Sequence, residues 1–261
     1  MLEVSGLEKR FGGIRAVDGV SFSLEAGSIT GLMGANGAGK TTLFNLVTGY
    51  LQPDAGTVRL HGRSLVGLPP FKIAQLGVAR SFQDVRVFDR LSVLDNVMLA
   101  FQQQAGEHLL RLFWSFGRIR REERTRRAEA QELLELVGLA RKAAARAGEL
   151  SYGQQKLLSL ARIFAMRAPL VLLDEPTAGV NPKLIQTMVA LLRRMVEQGM
   201  TLWLIEHNWD AVSRLSDRLM FLDHGRLVWT GSVPDALTNA ELTELYLGMR
   251  RPAGERGGPS A

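Results

Sequence analysis

Apolar residues recur along the chain in short closed runs, and most of these runs read as strands. Leu2-Glu3-Val4 and Val20-Ser21-Phe22-Ser23-Leu24 alternate apolar with polar positions, with a Gly12-Gly13 turn between them. Residues 28–33 read as a short buried strand. Residues 57–60 form another strand with a hairpin tip at His61-Gly62, and residues 77–82 form a further one. Pro169-Leu170-Val171-Leu172-Leu173 is a continuous apolar run of the kind found in buried parallel sheets. Strands are also predicted over 200–205 and 219–222, the latter ending in a turn at Asp223-His224-Gly225. Between about 92 and 165 the period changes and the chain reads as mostly helical. A helix starts near Ser92, and a long charged helix covers 119–137 with Leu133, Leu134 and Val137 as its late apolar face. Further helices are expected over 154–164, 182–198 and 208–216. The pattern is that of an α/β core with a helical lobe inserted into it.

The 261 residues are 46% hydrophobic, enough for one large domain or one core with an inserted lobe. There is no cysteine, which excludes disulfides and thiolate metal sites, and the four histidines form no cluster in sequence. The start Met1-Leu2-Glu3-Val4 lacks the basic and apolar regions of a signal peptide, and no apolar run approaches the ~18 residues of a membrane span. A net charge of +6 allows an anionic partner (nucleotide, nucleic acid or lipid headgroup) but fits a solvated basic surface equally well.

One stretch carries specific chemistry. Gly34-Ala35-Asn36-Gly37-Ala38-Gly39-Lys40-Thr41-Thr42 fits G-x-x-x-x-G-K-[ST] and lies between a predicted strand and a predicted helix start. In that setting backbone N–H groups surround an anion, and glycines let the chain approach phosphate oxygens. Lys40 is expected to neutralise β and γ phosphates and the Thr41 hydroxyl to join Mg²⁺. Other polar residues stand at predicted strand ends: Gln83, Asp174-Glu175 and His207. In a parallel α/β sheet such ends share one ligand crevice. Asp174 is expected to hold Mg²⁺ and Glu175 to take a proton from an attacking water. His207 is expected to meet the γ-phosphate or that water, and Gln83 the metal or the water. Phe11, ahead of the phosphate loop, either stacks on adenine or fills the core of the first hairpin. Ser151-Tyr152-Gly153-Gln154 fits a capping box at a helix start, which is also a second phosphate-binding N-terminus.

Together these motifs resemble the ATP-binding subunits of ABC transporters over about residues 2 to 248. Residues 34–42 look like Walker A, Gln83 the Q-loop, 150–155 the signature, 170–175 Walker B with its catalytic glutamate, and His207 the switch histidine. The closest resemblance is to the ATPases of bacterial branched-chain amino-acid importers, on 151–155, 174–182, the longer stretch 101–127 and the ending Tyr246-Leu247-Gly248. The resemblance implies a P-loop NTPase fold: a RecA-like core with an antiparallel β subdomain and an inserted helical subdomain. Residues 1–249 then form one ATPase domain, with the core at about 1–90 and 163–235, the lobe at about 91–162 and a C-terminal helical piece at about 236–249. The tail 250–261 is read as disordered. ATP and Mg²⁺ are the implied cofactors. Nucleotide contacts are expected from Phe11, Val17, Gly34, Asn36, Gly37, Gly39, Lys40, Thr41 and Thr42. Ser151, Gly153 and Gln154 are expected to contact the nucleotide of a second ABC ATPase subunit, identical or paralogous, in a head-to-tail dimer.

Two membrane permease subunits are the other implied partners, no nucleic acid is expected, and the implied location is the cytoplasmic face of the inner membrane. Three positions depart from the general family pattern: Phe11 for tyrosine, Tyr152 for the first signature glycine, and Asn181 where the D-loop often has aspartate. Alternative readings in the same fold are a lipid or lipopolysaccharide export ATPase and a soluble ABC protein of translation or DNA repair. A small-molecule kinase leaves the signature and His207 unexplained. The apolar stretch Leu109-Leu110-Arg111-Leu112-Phe113-Trp114-Ser115-Phe116, followed by Arg118 to Arg121, fits either a groove of the helical lobe or a surface facing the permease or lipid headgroups.

Overall fold

The computed structural model describes residues 1–81, 86–101, 116–239 and 242. Its strands are β1 (Leu2–Phe11), β2 (Ile14–Leu24), β3 (Ile29–Met33), β4 (Ala55–Leu60), β5 (Arg63–Ser64), β6 (Val78–Arg80), β7 (Leu170–Asp174), β8 (Thr201–Ile205), β9 (Arg218–Asp223) and β10 (Arg226–Ser232). Its α-helices are α1 (Lys40–Val47), α2 (Pro70–Gln75), α3 (Val93–Met98), α4 (Phe116–Leu136), α5 (Tyr152–Ala165), α6 (Pro182–Glu197), α7 (Trp209–Leu215) and α8 (Val233–Thr238).

A six-stranded sheet runs β10-β9-β3-β8-β7-β6, parallel throughout except for the β9–β10 hairpin. A four-stranded antiparallel sheet runs β2-β1-β4-β5. The central strands β3, β7 and β8 are buried at every residue, which is why their sequences are largely apolar rather than alternating. Gly31 in β3 has a packing reason: a Cβ there would stand 2.5 Å from Val212 Cγ2 of α7 and 2.8 Å from Leu219 Cδ2 of β9.

Register sets the site. Leu32 lies opposite Ile205, and Ile205 opposite Asp174, so the carboxyl ends of β3, β8 and β7 are level. One apolar cluster joins the six-stranded sheet to α5, α6 and the helices around α3 and α4, through Leu134, Leu157, Leu158, Leu173 and Leu191. A second joins the antiparallel sheet to the face of the large sheet that carries α1. At its centre Trp203 is fully buried between Phe44 and Phe22, with ring centroids 4.5 and 5.1 Å away.

The structure departs from the sequence expectations in a few elements. The sixth strand is three residues long, not six, and Phe82 and Gln83 lie outside the described residues. The helix α2, opened by Pro70 after Pro69, and the strand β10 carry weak periodicity and were not expected. The long charged helix begins at Phe116, three residues earlier than its pattern. The stretch 109–115, the ending 246–248 and the tail 250–261 lie outside the described residues.

Candidate active site

The phosphate loop leaves β3 and returns as α1. Gly34 has φ 154°, and a Cβ there would meet the Leu222 carbonyl oxygen at 2.2 Å. Gly39 has φ 104°, and a Cβ would meet the Ala16 carbonyl oxygen at the same distance. Only glycine fits between these backbones. Lys40 is buried and its ammonium donates to the carbonyls of Gly34 and Ala35, 2.8 Å each. Burial pushes its pKa down, while Glu175 and Asp174 pull it back up. The loop thus holds a charged group folded over its own backbone, and an incoming phosphate offers it a stronger acceptor than a carbonyl.

An open cavity of about 350 Å³ lies over the loop, lined by Ala16, Asn36, Gly37, Gly39, Lys40, Thr41, Thr42, Glu175, Ile205 and His207. Three strand ends therefore converge as the register requires. His207 Nε2 lies 2.8 Å from Glu175 Oε1. Glu175 itself sits at φ 47°, a left-handed conformation that non-glycine residues rarely adopt, and its N–H donates to Ile205 O at 3.0 Å.

Asp174, the last residue of β7, is buried, and its N–H donates to Ser81 Oγ at 3.0 Å. Burial raises the pKa of its carboxyl, against the pull of Arg80, whose guanidinium lies 3.6 Å away. Arg80 also donates to Asn45 Oδ1 (2.6 Å) and Thr48 Oγ1 (3.1 Å) of the α1 segment. It therefore ties the end of β6 to both α1 and Asp174, a role that no motif announced.

The residues expected to meet a metal present hard oxygen donors: the buried Asp174 carboxyl and the Thr41 hydroxyl. No group of three or more His, Cys, Asp or Glu suited to a metal occurs among the described residues. That donor set fits Mg²⁺, which takes one or two protein oxygens and completes its shell with phosphates and water.

Several expected residues stand elsewhere. Val17, within β2, is fully buried in the core, and its neighbour Ala16 lines the cavity instead. Phe11 is half exposed at the β1–β2 hairpin end and paired with Ile14, so it is not a core residue, and it does not line the cavity. Ser151, Gly153 and Gln154 line no part of it. They form the start of α5, where Ser151 Oγ accepts from Gln154 N and Gln154 Oε1 accepts from Ser151 N, the reciprocal capping box. Asn181 caps α6, accepting from Lys183 N at 2.9 Å.

A strand, a glycine turn and a lysine-bearing helix start, with carboxylates at level neighbouring strand ends, define a P-loop nucleotide-binding protein with a RecA-like core. The model of the ABC transporter family matches residues 17–178. A high-affinity branched-chain amino acid transport ATP-binding protein of Pseudomonas aeruginosa is 39% identical over 249 residues, 95% of this chain and 98% of that protein. A protein of the same description from Escherichia coli is 36% identical over the same span. A nucleotide-free ATP-binding cassette from an ABC transporter superposes with a TM-score of 0.78 at 31% identity, over 95% of this chain and 99% of that one. The chain belongs to the ABC transporter family. It has that family's ATPase fold: a P-loop core, an antiparallel subdomain and a helical subdomain.

Proposed function

We propose that the chain binds and hydrolyses ATP to energise an importer of branched-chain amino acids or related small polar solutes. The observation that carries this reading is the meeting of Lys40, Glu175 and His207 in one cavity at the level ends of β3, β7 and β8. The solute rests on full-length similarity to proteins described as branched-chain amino acid transport ATPases.

The geometry of the cavity supports a division of roles. The loop amides and Lys40 bind and orient the phosphates. Asp174 and Thr41 hold Mg²⁺, which supplies positive charge to the phosphate oxygens. Glu175 takes the proton of the attacking water, and His207 fixes the Glu175 carboxylate at 2.8 Å and closes the same side of the cavity. Ser151, Gly153 and Gln154, outside this cavity, serve the nucleotide of a second cassette. Gln83, outside the described residues, keeps its proposed place beside metal and water. We read residues 1–249 as one ATPase domain at the cytoplasmic face of the membrane. No described helix is long and apolar enough to cross a bilayer. The family resemblance assigns the transport path to two permease subunits.

The test is capture and uptake. The tagged chain, recovered from membranes in mild detergent, should bring polytopic subunits with it. The complex in vesicles should accumulate leucine when ATP is supplied on the cassette side, and Lys40→Ala should abolish the uptake. Recovery of the chain alone would favour a soluble ABC protein, and a transporting complex indifferent to amino acids would overturn the solute.

A further inference from the structure

Among the described residues the charged residues buried as a whole are Lys40, Asp174, Lys156 and Glu206. The first two belong to the site above. Lys156 and Glu206 are not accounted for by it, and both converge on the turn that follows β7. A buried ammonium is costly unless its donors are met. Lys156, in the second turn of α5, meets them with two backbone carbonyls, Glu175 O at 3.1 Å and Ala178 O at 2.6 Å. From the other side, Glu206 at the end of β8 accepts from Thr177 N and Thr177 Oγ1 at 2.9 and 2.7 Å. The turn is thus held between α5 and β8.

We infer that Lys156 is a positioning residue for Glu175, fixing the peptide of the proposed general base from the helix that begins with Ser151 and Gly153. The inference rests on the ATPase reading above. Glu175 O receives the Lys156 ammonium and the Ala178 N–H (3.2 Å) together, at the residue whose φ of 47° is left-handed. A charge-assisted bond to that carbonyl opposes rotation of the peptide toward ordinary φ, a rotation that would swing the carboxylate away from His207. The start of α5 is packed on the same segment. A Cβ on Gly153 would meet Leu184 Cδ1 at 2.6 Å, and one on Gly179 would meet the Tyr152 ring at 3.3 Å. A displacement of the α5 start therefore reaches Glu175 through Lys156 and not only through the backbone.

The test is a double-mutant cycle on the full chain with Lys156→Met, Lys156→Arg and Glu175→Gln, reading ATP turnover, KM and melting temperature. Lys156→Met should lower kcat by roughly 10- to 100-fold, the scale of a misplacement of about 1 Å, and leave KM within about twofold. Lys156→Arg, which keeps charge and donors, should recover most of the loss. In the Glu175→Gln background Lys156→Met should have little further effect, since there is no base left to misplace. An anchor of α5 with no bearing on Glu175 predicts equal fold-losses in both backgrounds, and that result overturns the inference. So does a folded Lys156→Met with turnover within about twofold of the parent. If Lys156→Met does not fold, Lys156→Gln, with one amide donor, enters the same cycle. Unchanged turnover in Glu175→Gln alone would reject the ATPase assignment of Glu175, and this inference with it. A slow Glu175→Gln with additive Lys156 losses rejects this inference only.

Discussion

Two side chains next to each other in the fold, Glu175 and Glu206, face opposite demands. Glu175 opens onto the cavity beside His207, where a base can reach water. Its replacement by glutamine keeps shape and removes the proton acceptor, so turnover should fall by roughly 10²–10⁴-fold with ATP binding retained. Purified Glu175→Gln hydrolysing ATP at a near-normal rate would remove it from that role. Glu206 is closed off from solvent, and burial raises its pKa although Thr177 donates to it twice. The sign follows from linkage. Below the ordinary glutamate pKa both folded and unfolded chains hold the proton and Glu206 contributes nothing. As pH rises toward the elevated folded value, only the unfolded chain ionises freely, and stability is lost. Glu206→Gln keeps an acceptor for Thr177 and cannot ionise. Its melting temperature should match the parent near pH 4 and exceed it at pH 8, by about 2–4 °C for each kcal/mol of burial cost removed. A difference that does not grow with pH would show that Glu206 is not a destabilising buried charge.

At the scale of elements, legibility tracked how local the cause was. The phosphate loop, the capping box of α5 and the buried strands β3, β7 and β8 were all readable, because glycine spacing, cap chemistry and unbroken apolar runs are written in consecutive residues. The burial of Val17 was not readable, nor the clamp of Arg80 on Asp174, nor the reach of Lys156 to Glu175. Each depends on which strands are neighbours, and the reordering of β3 between β8 and β9 has no short-range signal. Phe88 is an intermediate case. It follows the region of Gln83, where a side chain can pack the hinge between core and lobe or face a partner. Its backbone is pinned by Asn96, which accepts from Phe88 N at 2.9 Å and donates to Phe88 O at 3.0 Å. Its ring is half exposed, 4.9 Å from the Arg162 guanidinium. A ring held in place yet half open to solvent fits a contact with a partner. Phe88→Ala should leave basal hydrolysis of the lone chain within about twofold and uncouple it from transport in the assembled complex. Equal loss of both activities would return Phe88 to the packing of the hinge.

For the molecule as a whole, the telling feature is that the two helix starts proposed to meet phosphate do not share a cavity. The start of α1 carries Lys40 and faces Glu175 and His207, while the start of α5 carries Ser151 on an exposed surface with Tyr152 half open beside it. A capped, exposed helix start with a glycine at its second residue is suited to an anion, and within one chain the anion held by Lys40 is not there. In the proposed head-to-tail arrangement of two copies, each α5 start would meet the other's nucleotide, and a γ-phosphate held by one chain would become part of the interface. Association should then depend on that phosphate by mass action: ATP is expected to stabilise the dimer and ADP, lacking the bridging group, is not. Glu175→Gln, expected to bind ATP and turn it over slowly, should keep the bridging state long enough to measure. With saturating ATP and Mg²⁺, light scattering should give twice the mass of the 28.8 kDa chain. With ADP it should give the monomer, and Ser151→Arg, which fills the α5 start with a bulky cation, should prevent the dimer without weakening ATP binding to the loop. A Glu175→Gln chain that stays monomeric under ATP, or that dimerises equally under ADP, would overturn the head-to-tail arrangement and leave the exposed start of α5 without its proposed ligand.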